Sequence, residues 1–110
     1  MVKKRLKVGI IAAEHSGDRL GAKIIESLQE IFEIDLYGLG GPEVNANPIV
    51  TPHGIDYHDL HVMGFIDPLI NLPKIFLNRR KLLKLFISND IDIFIGVDLP
   101  DFNIFFHKKL

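Results

Sequence analysis

Cysteine is missing from all 110 residues, and that excludes disulfides, zinc-thiolate centres, iron-sulfur clusters and a thiol nucleophile; a reducing cytosol suits such a chain. Charge of one sign is also missing. Thirteen basic residues against fourteen acidic ones leave a net charge of -1, so no global electrostatic case for nucleic acid exists and any basic function has to be local. No long hydrophobic run follows the basic N-terminus. Val8 to Ala13 is interrupted by Glu14, too soon for a signal-peptide core or a membrane span. Neither G-x-G-x-x-G nor G-x-x-x-x-G-K-[ST] occurs, which removes the sequence support for dinucleotide and P-loop nucleotide binding. What remains is 47% hydrophobic and 25% charged, the composition of a packed domain rather than a disordered chain.

The pattern alternates strand and helix. Val8-Gly9-Ile10-Ile11-Ala12-Ala13 reads as a strand buried on both faces, ending in the polar turn Glu14 to Asp18. Leu20, Ile24, Ile25, Leu28, Ile31 and Phe32 then recur at helical spacing, which predicts a helix over 18–32 with Ser16 or Asp18 as its cap. Ile34 to Leu39 reads as a second strand, closed by Gly40-Gly41-Pro42. Residues 43–57 show little periodicity beyond a short strand expected near 55–57. A helical stripe runs from Asp67 to Asn89, with Pro68 marking a start and Pro73 a break, which predicts one short helix leading into a longer one. Ile91 to Val97 is the next buried strand, residues 98–103 the turn behind it, and a further helix begins near Ile104. This order predicts an α/β, Rossmann-like parallel sheet of three or four strands with right-handed crossovers. Ligands of such sheets bind outside the carboxyl ends of the strands, so the turns at 14–18, 38–42 and 98–103 carry the functional question.

Each turn admits two readings. Ser16-Gly17-Asp18 offers backbone amides at a helix start, suited to a phosphate or sugar hydroxyl, but spacing alone favours a plain helix cap with a tight turn. Gly40 and Gly41 either admit a ligand to the backbone or serve the bend, and the bend is favoured. Asp101 reads as a cap for the helix starting near Phe102. Asp98 is left between a hydrogen bond to its own turn and a general base at a strand end. His58 and His61 lack the helical spacing of a metal pair, so neither a metal nor a cofactor is expected. Lys74, Arg79, Arg80, Lys81 and Lys84 share a segment with Ile75, Phe76, Leu77, Leu82 and Leu83 and no acid. A basic amphipathic helix of that kind either lies on an anionic membrane or covers the domain with its charges solvated. Aromatic residues are not interleaved with these charges as a nucleic-acid surface requires.

Taken together, the turns resemble one family. Ala12-Ala13-Glu14-His15-Ser16-Gly17-Asp18 with Leu20-Gly21-Ala22 is similar to the A-G-E-x-S-G-D-x-x-G-A opening of the lipid-A-disaccharide synthases. Gly40-Gly41-Pro42, Val62-Met63-Gly64-Phe65 and Gly96-Val97-Asp98-Leu99-Pro100-Asp101-Phe102-Asn103 follow in the family's order, resembling its G-G-P, V-M-G and G-[IV]-D-x-P-D-F-N blocks. Four blocks in register across residues 8–103 make the match specific. Ala13 stands where the family has Gly, Glu43-Val44 where it has a basic residue and Met, and Asp67 where it has Glu.

The resemblance implies a GT-B glycosyltransferase of lipid A biosynthesis that joins a UDP-linked 2,3-diacylglucosamine donor to a 2,3-diacylglucosamine 1-phosphate acceptor, with inversion and release of UDP. It implies that residues 1–110 are an incomplete N-terminal, acceptor-side domain, inactive alone, lacking the UDP-sugar-binding C-terminal domain. Asp98 then falls on the catalytic base. Glu14, His15, Ser16, Gly17, Asp18, Gly40, Gly41, Met63, Gly64, Asp101 and Asn103 fall on the substrate cleft or its turns. Phe76, Arg79, Arg80, Lys81 and Lys84 become a lipid contact at the inner face of the cytoplasmic membrane, where the protein would be peripheral. A homodimer of the full-length parent is part of the same expectation. A non-catalytic module holding a phospho-sugar lipid or a membrane surface is the competing reading, since the nucleotide-binding half has no counterpart here. A receiver-type regulator is a third, drawn from size and class alone.

Overall fold

The computed structural model describes residues 3–12, 15–52, 72–97 and 100–110. Their elements are β1 (Lys4–Ala12), α1 (His15–Gln29), β2 (Phe32–Leu39), a 3-10 turn (Val44–Ala46), β3 (Ile49–Val50), α2 (Leu72–Ser88), β4 (Ile93–Val97) and α3 (Pro100–Lys109). The four strands form one parallel sheet in the order β3-β2-β1-β4. β1 lies between β2 and β4, and Val8 to Ala12 are all buried. That double cover is why the run carries no alternation of polar side chains.

Side chains sort by parity onto two faces. Val8, Ile10, Ala12, Leu36 and Val97 pack with Ile25 of α1 and Val44. Ile11 and Leu39 pack with Leu82 and Phe86 of α2 and Phe106 of α3. Thus α1 covers one face while α2 and α3 cover the other, as right-handed crossovers require when the step from β1 to β2 and the step from β3 to β4 run across the sheet in opposite directions. Phe86, Phe94 and Phe106 meet with ring centroids 5.5 to 5.7 Å apart, distances typical of tilted and edge-on aromatic packing.

The amino end of the sheet is tied by charge. Arg5 on β1 meets Asp35 at 2.8 Å and Glu33 at 3.2 Å on β2. Its guanidinium is held above its ordinary pKa, first by the hydrogen bond to Asp35 and then by the charges of Asp35 and Glu33. The Lys7 amide donates to the Asp92 carboxylate at 2.8 Å, and the Asp92 amide donates to the Lys7 carbonyl at 2.8 Å. Gly38 has φ +132°, and a Cβ there would strike the Ile10 carbonyl oxygen. That position requires glycine.

The sequence reading holds for fold class and element order, with corrections at the boundaries. β1 reaches back to Lys4 because its charged amino end pairs with β2, from Lys4 opposite Phe32 onward. The same pairing takes Phe32 out of α1, which runs over 15–29 instead of 18–32. Pro73 is the second residue of α2, in the first turn, where a missing N-H is tolerated, so the longer helix starts there; the short helix expected ahead of it lies outside the described residues. Likewise α3 begins at Pro100, so Asp101 and Asn103 are helical and Asp101 sits inside the first turn rather than ahead of it. The short strand after β2 is Ile49–Val50. The strand expected near 55–57, and Pro68, lie outside the described residues.

Candidate active site

The register brings three connections to one edge of the sheet. At the carboxyl ends, Ile11 pairs with Leu39 and Ala12 with Val97. The turn after β2, the turn after β1 and the turn after β4 therefore leave side by side, at the strand spacing of about 5 Å. Between β1 and β4 the order reverses: the chain after β1 enters the helix on one face, and the chain after β4 enters the helix on the other. That is the topological switch point, where open α/β sheets form a ligand crevice. Two helix N-termini, at His15 and Pro100, flank it, each a source of positive potential.

Asp18 holds two of the turns together. It is 3% exposed, and its carboxylate accepts from the Glu43 amide and from the Val44 amide, each at 2.9 Å. Its charge thus caps the 3-10 turn rather than its own helix, which explains why α1 begins three residues before it. Gly40 and Gly41 are fixed by the same clamp. Asn45 donates through its side chain to the Gly40 carbonyl and through its amide to the Gly41 carbonyl, both at 2.9 Å. A Cβ on Gly40 would lie 2.5 Å from the Val44 side chain, so the bend itself needs glycine there, as the sequence reading favoured. Outside the clamp, Arg19 and Glu43 form an exposed pair at 3.8 Å.

Asn103 plays the equivalent part on the other side of the crevice. It is 3% exposed, and its Nδ2 donates to the carbonyl of Val97, the last residue of β4, at 3.4 Å. The first turn of α3 is thereby held against the strand end that Asp98 follows in the chain. Gly17 is buried and Ser16 exposed in the first turn of α1, which His15 opens. Glu14, Met63, Gly64 and Asp98 lie outside the described residues.

A family model for lipid-A-disaccharide synthetase matches residues 8–110. The chain belongs to this family. The lipid-A-disaccharide synthase of Pseudoalteromonas translucida is 40% identical over 108 residues, covering 97% of this chain and 28% of the relative. That of Francisella philomiragia is 40% identical over 106 residues (96% and 27%), and that of Aeromonas hydrophila 42% over 106 residues (96% and 27%). The chain thus spans little more than a quarter of the length of these synthases.

In this member of the family, the basic segment forms a two-sided helix. Leu82 and Phe86 of α2 are fully buried, whereas Leu77, Arg80, Lys84 and Ile87 are exposed. Their spacing places these four within one outward stripe, opposite the buried pair. Arg79 and Lys81 are half-buried beside it, and Phe76 belongs to the helix backbone one turn earlier. Among the described residues no helix is long and apolar enough to cross a membrane. The sequence reading overlooked Asn78. It is 3% exposed, and its Nδ2 has no hydrogen-bond partner among the described residues. Its position one turn before Leu82, on the stripe that continues to Phe86, was the available signal.

Proposed function

We propose that this chain forms the acceptor-side part of a synthase that transfers 2,3-diacylglucosamine from UDP to 2,3-diacylglucosamine 1-phosphate, giving the lipid A disaccharide 1-phosphate and UDP. The observation that carries this reading is the gathering of three family turns at the switch point between β1 and β4. The turn that contains Asp98 follows β4 there. The Asp98 carboxylate takes the proton of the acceptor hydroxyl, the oxygen attacks the anomeric carbon of the donor, and the bond to UDP breaks on the opposite side. A carboxylate is a suitable base because the hydroxyl loses its proton only as the new bond forms. Glu14, His15, Ser16 and Gly17 line the cleft from the turn after β1, with Met63 and Gly64 on the approach. Asp18, Gly40, Gly41, Asp101 and Asn103 set the shape of the turns, Asp18 and Asn103 through the inward bonds described above.

The acylated, anionic substrates give the outward stripe of α2 a role. Leu77 and Ile87 enter the headgroup region while Arg80 and Lys84 meet lipid phosphates, which keeps the protein peripheral at the inner face of the cytoplasmic membrane. The GT-B arrangement, the UDP-binding half and a homodimer belong to the full-length parent in this reading.

The test is a chimera in which residues 3–110 replace the matching segment of the Pseudoalteromonas synthase, supplied with both lipid substrates. Disaccharide and UDP are expected, and Asp98→Asn should lower turnover by about 100- to 10,000-fold, the usual worth of a positioned base. Unchanged turnover in Asp98→Asn overturns the base assignment.

A further inference from the structure

We propose that the Gly41 amide donates a hydrogen bond to an oxygen at the sugar-phosphate end of the acceptor, and that Asn45 is the positioning residue that aims it; the identity of the ligand rests on the function proposed above. The 3-10 turn at Val44–Ala46 is strapped to both ends of α1. Asp18, near the start of that helix, accepts from the Glu43 and Val44 amides. Gln29, its last residue, donates through its side chain to the Asn47 side-chain oxygen at 3.2 Å. Asn45 reaches the other way, its side chain donating to the Gly40 carbonyl and its amide to the Gly41 carbonyl, both at 2.9 Å. The turn is thus a fixed post on which both glycine carbonyls are held.

A trans peptide unit is planar, with its C=O and N-H on opposite sides. The unit joining Gly40 to Gly41 has its carbonyl on Asn45, so its N-H, which belongs to Gly41, points away from Asn45. The next unit has its carbonyl there too, but its nitrogen is that of Pro42 and carries no hydrogen. The two held peptides therefore present a single donor. Gly41 is buried, and among the described residues its N-H has no acceptor. A buried backbone N-H is rarely left unpaired, and where protein supplies no acceptor, water or a ligand does. Leu39 pairs with Ile11, so the glycine pair leaves the sheet beside the turn after β1, at the edge where the ligand crevice forms. Released from Asn45, two glycines in succession would sample positive and negative φ alike, and a ligand needing one arrangement would lose affinity to that selection. Asn45 itself is exposed, and water would satisfy its side chain equally well; the bond to Gly40 serves the turn.

The experiment follows the Gly41 amide resonance of the 110-residue chain during titration with glucosamine 1-phosphate, the acceptor head without its acyl chains, and separately with inorganic phosphate. A saturable downfield movement is expected, reached at lower concentration with the sugar phosphate. Asn45→Ala should raise the apparent Kd about fivefold, the worth of one neutral hydrogen bond, with circular dichroism unchanged. In the chimera described above, the same substitution should raise KM for the acceptor about fivefold and leave KM for the UDP-linked donor unchanged, a split that a general loss of structure would not produce. No movement of Gly41, an equal response to inorganic phosphate, or a Kd indifferent to Asn45→Ala overturns the proposal. A chimera that makes no disaccharide, beside a Gly41 amide that still answers glucosamine 1-phosphate, rejects the proposed function and leaves the site standing.

Discussion

Replacing Asp18 by Ala should destabilise the chain far more than a surface change does, and the reason lies in two amides 25 and 26 residues away. The substitution leaves the Glu43 and Val44 N-H groups without their acceptor. Val44 is fully buried, packed in the cluster of Val8, Ile25 and Leu36, so water cannot replace the carboxylate at its amide. Loss of a charged acceptor for a dry amide costs about 2 kcal/mol. Glu43 is exposed, and its amide, partly rehydrated, adds about 1 kcal/mol. The sum of about 3 kcal/mol is a large share of the 5–15 kcal/mol that stabilises an ordinary domain. In urea, with an m-value of about 2 kcal/mol/M, the midpoint should fall by about 1.5 M. Asp18→Asn keeps one acceptor oxygen but turns an NH2 group toward the other amide, so it should lie between wild type and Ala. Amide resonances report the same event locally, with Glu43 and Val44 moving upfield in both variants. Glu43→Ala, which removes only the exposed side chain, is the control and should move the midpoint by less than about 0.3 M. If Asp18→Ala shifts the midpoint no more than Glu43→Ala does and leaves those two resonances in place, the clamp is not what holds the turn.

Phe86→Ala should cost about 3–5 kcal/mol by urea denaturation, because Phe86 is fully buried and packs on both Phe94 and Phe106; a loss under about 1 kcal/mol would mean that this face closes over the gap. Reversing charge in the α2 stripe with Arg80→Glu and Lys84→Glu should weaken co-sedimentation with anionic vesicles by at least about tenfold, at about 1 kcal/mol per charge removed and more on reversal. Neutral vesicles should show little difference, and equal binding of both proteins to anionic vesicles would count against the membrane reading.

How much of this was legible in the sequence depended on range. The β1 run and the turns behind β1, β2 and β4 could be read directly, since a strand buried on both faces leaves an unbroken apolar segment. The family blocks supplied the site residues at the same places. The partners of Asp18 could not be read, because a cap across 25 residues leaves no local pattern, and the nearby helix start invited the wrong pairing. β3 escaped because its two residues are too few for any period to show. Asn78 was hidden by its company, since a polar residue among lysines and arginines reads as surface until the helix is placed on the sheet. The strand order was beyond periodicity altogether: alternation predicts parallel neighbours, whereas placing β4 beside β1 takes the pairing itself.

That pairing has a consequence for synthesis. Lys7 and Asp92 lie 85 residues apart, so β1 and β2 can associate around α1 early while the other side of β1 waits for β4. At about 5–20 residues per second the ribosome takes roughly 4–17 s to cover that distance. During that interval the most apolar strand of the chain has one bare edge, and a chaperone that shields Val8 to Ala12 should raise soluble yield more than one acting after release.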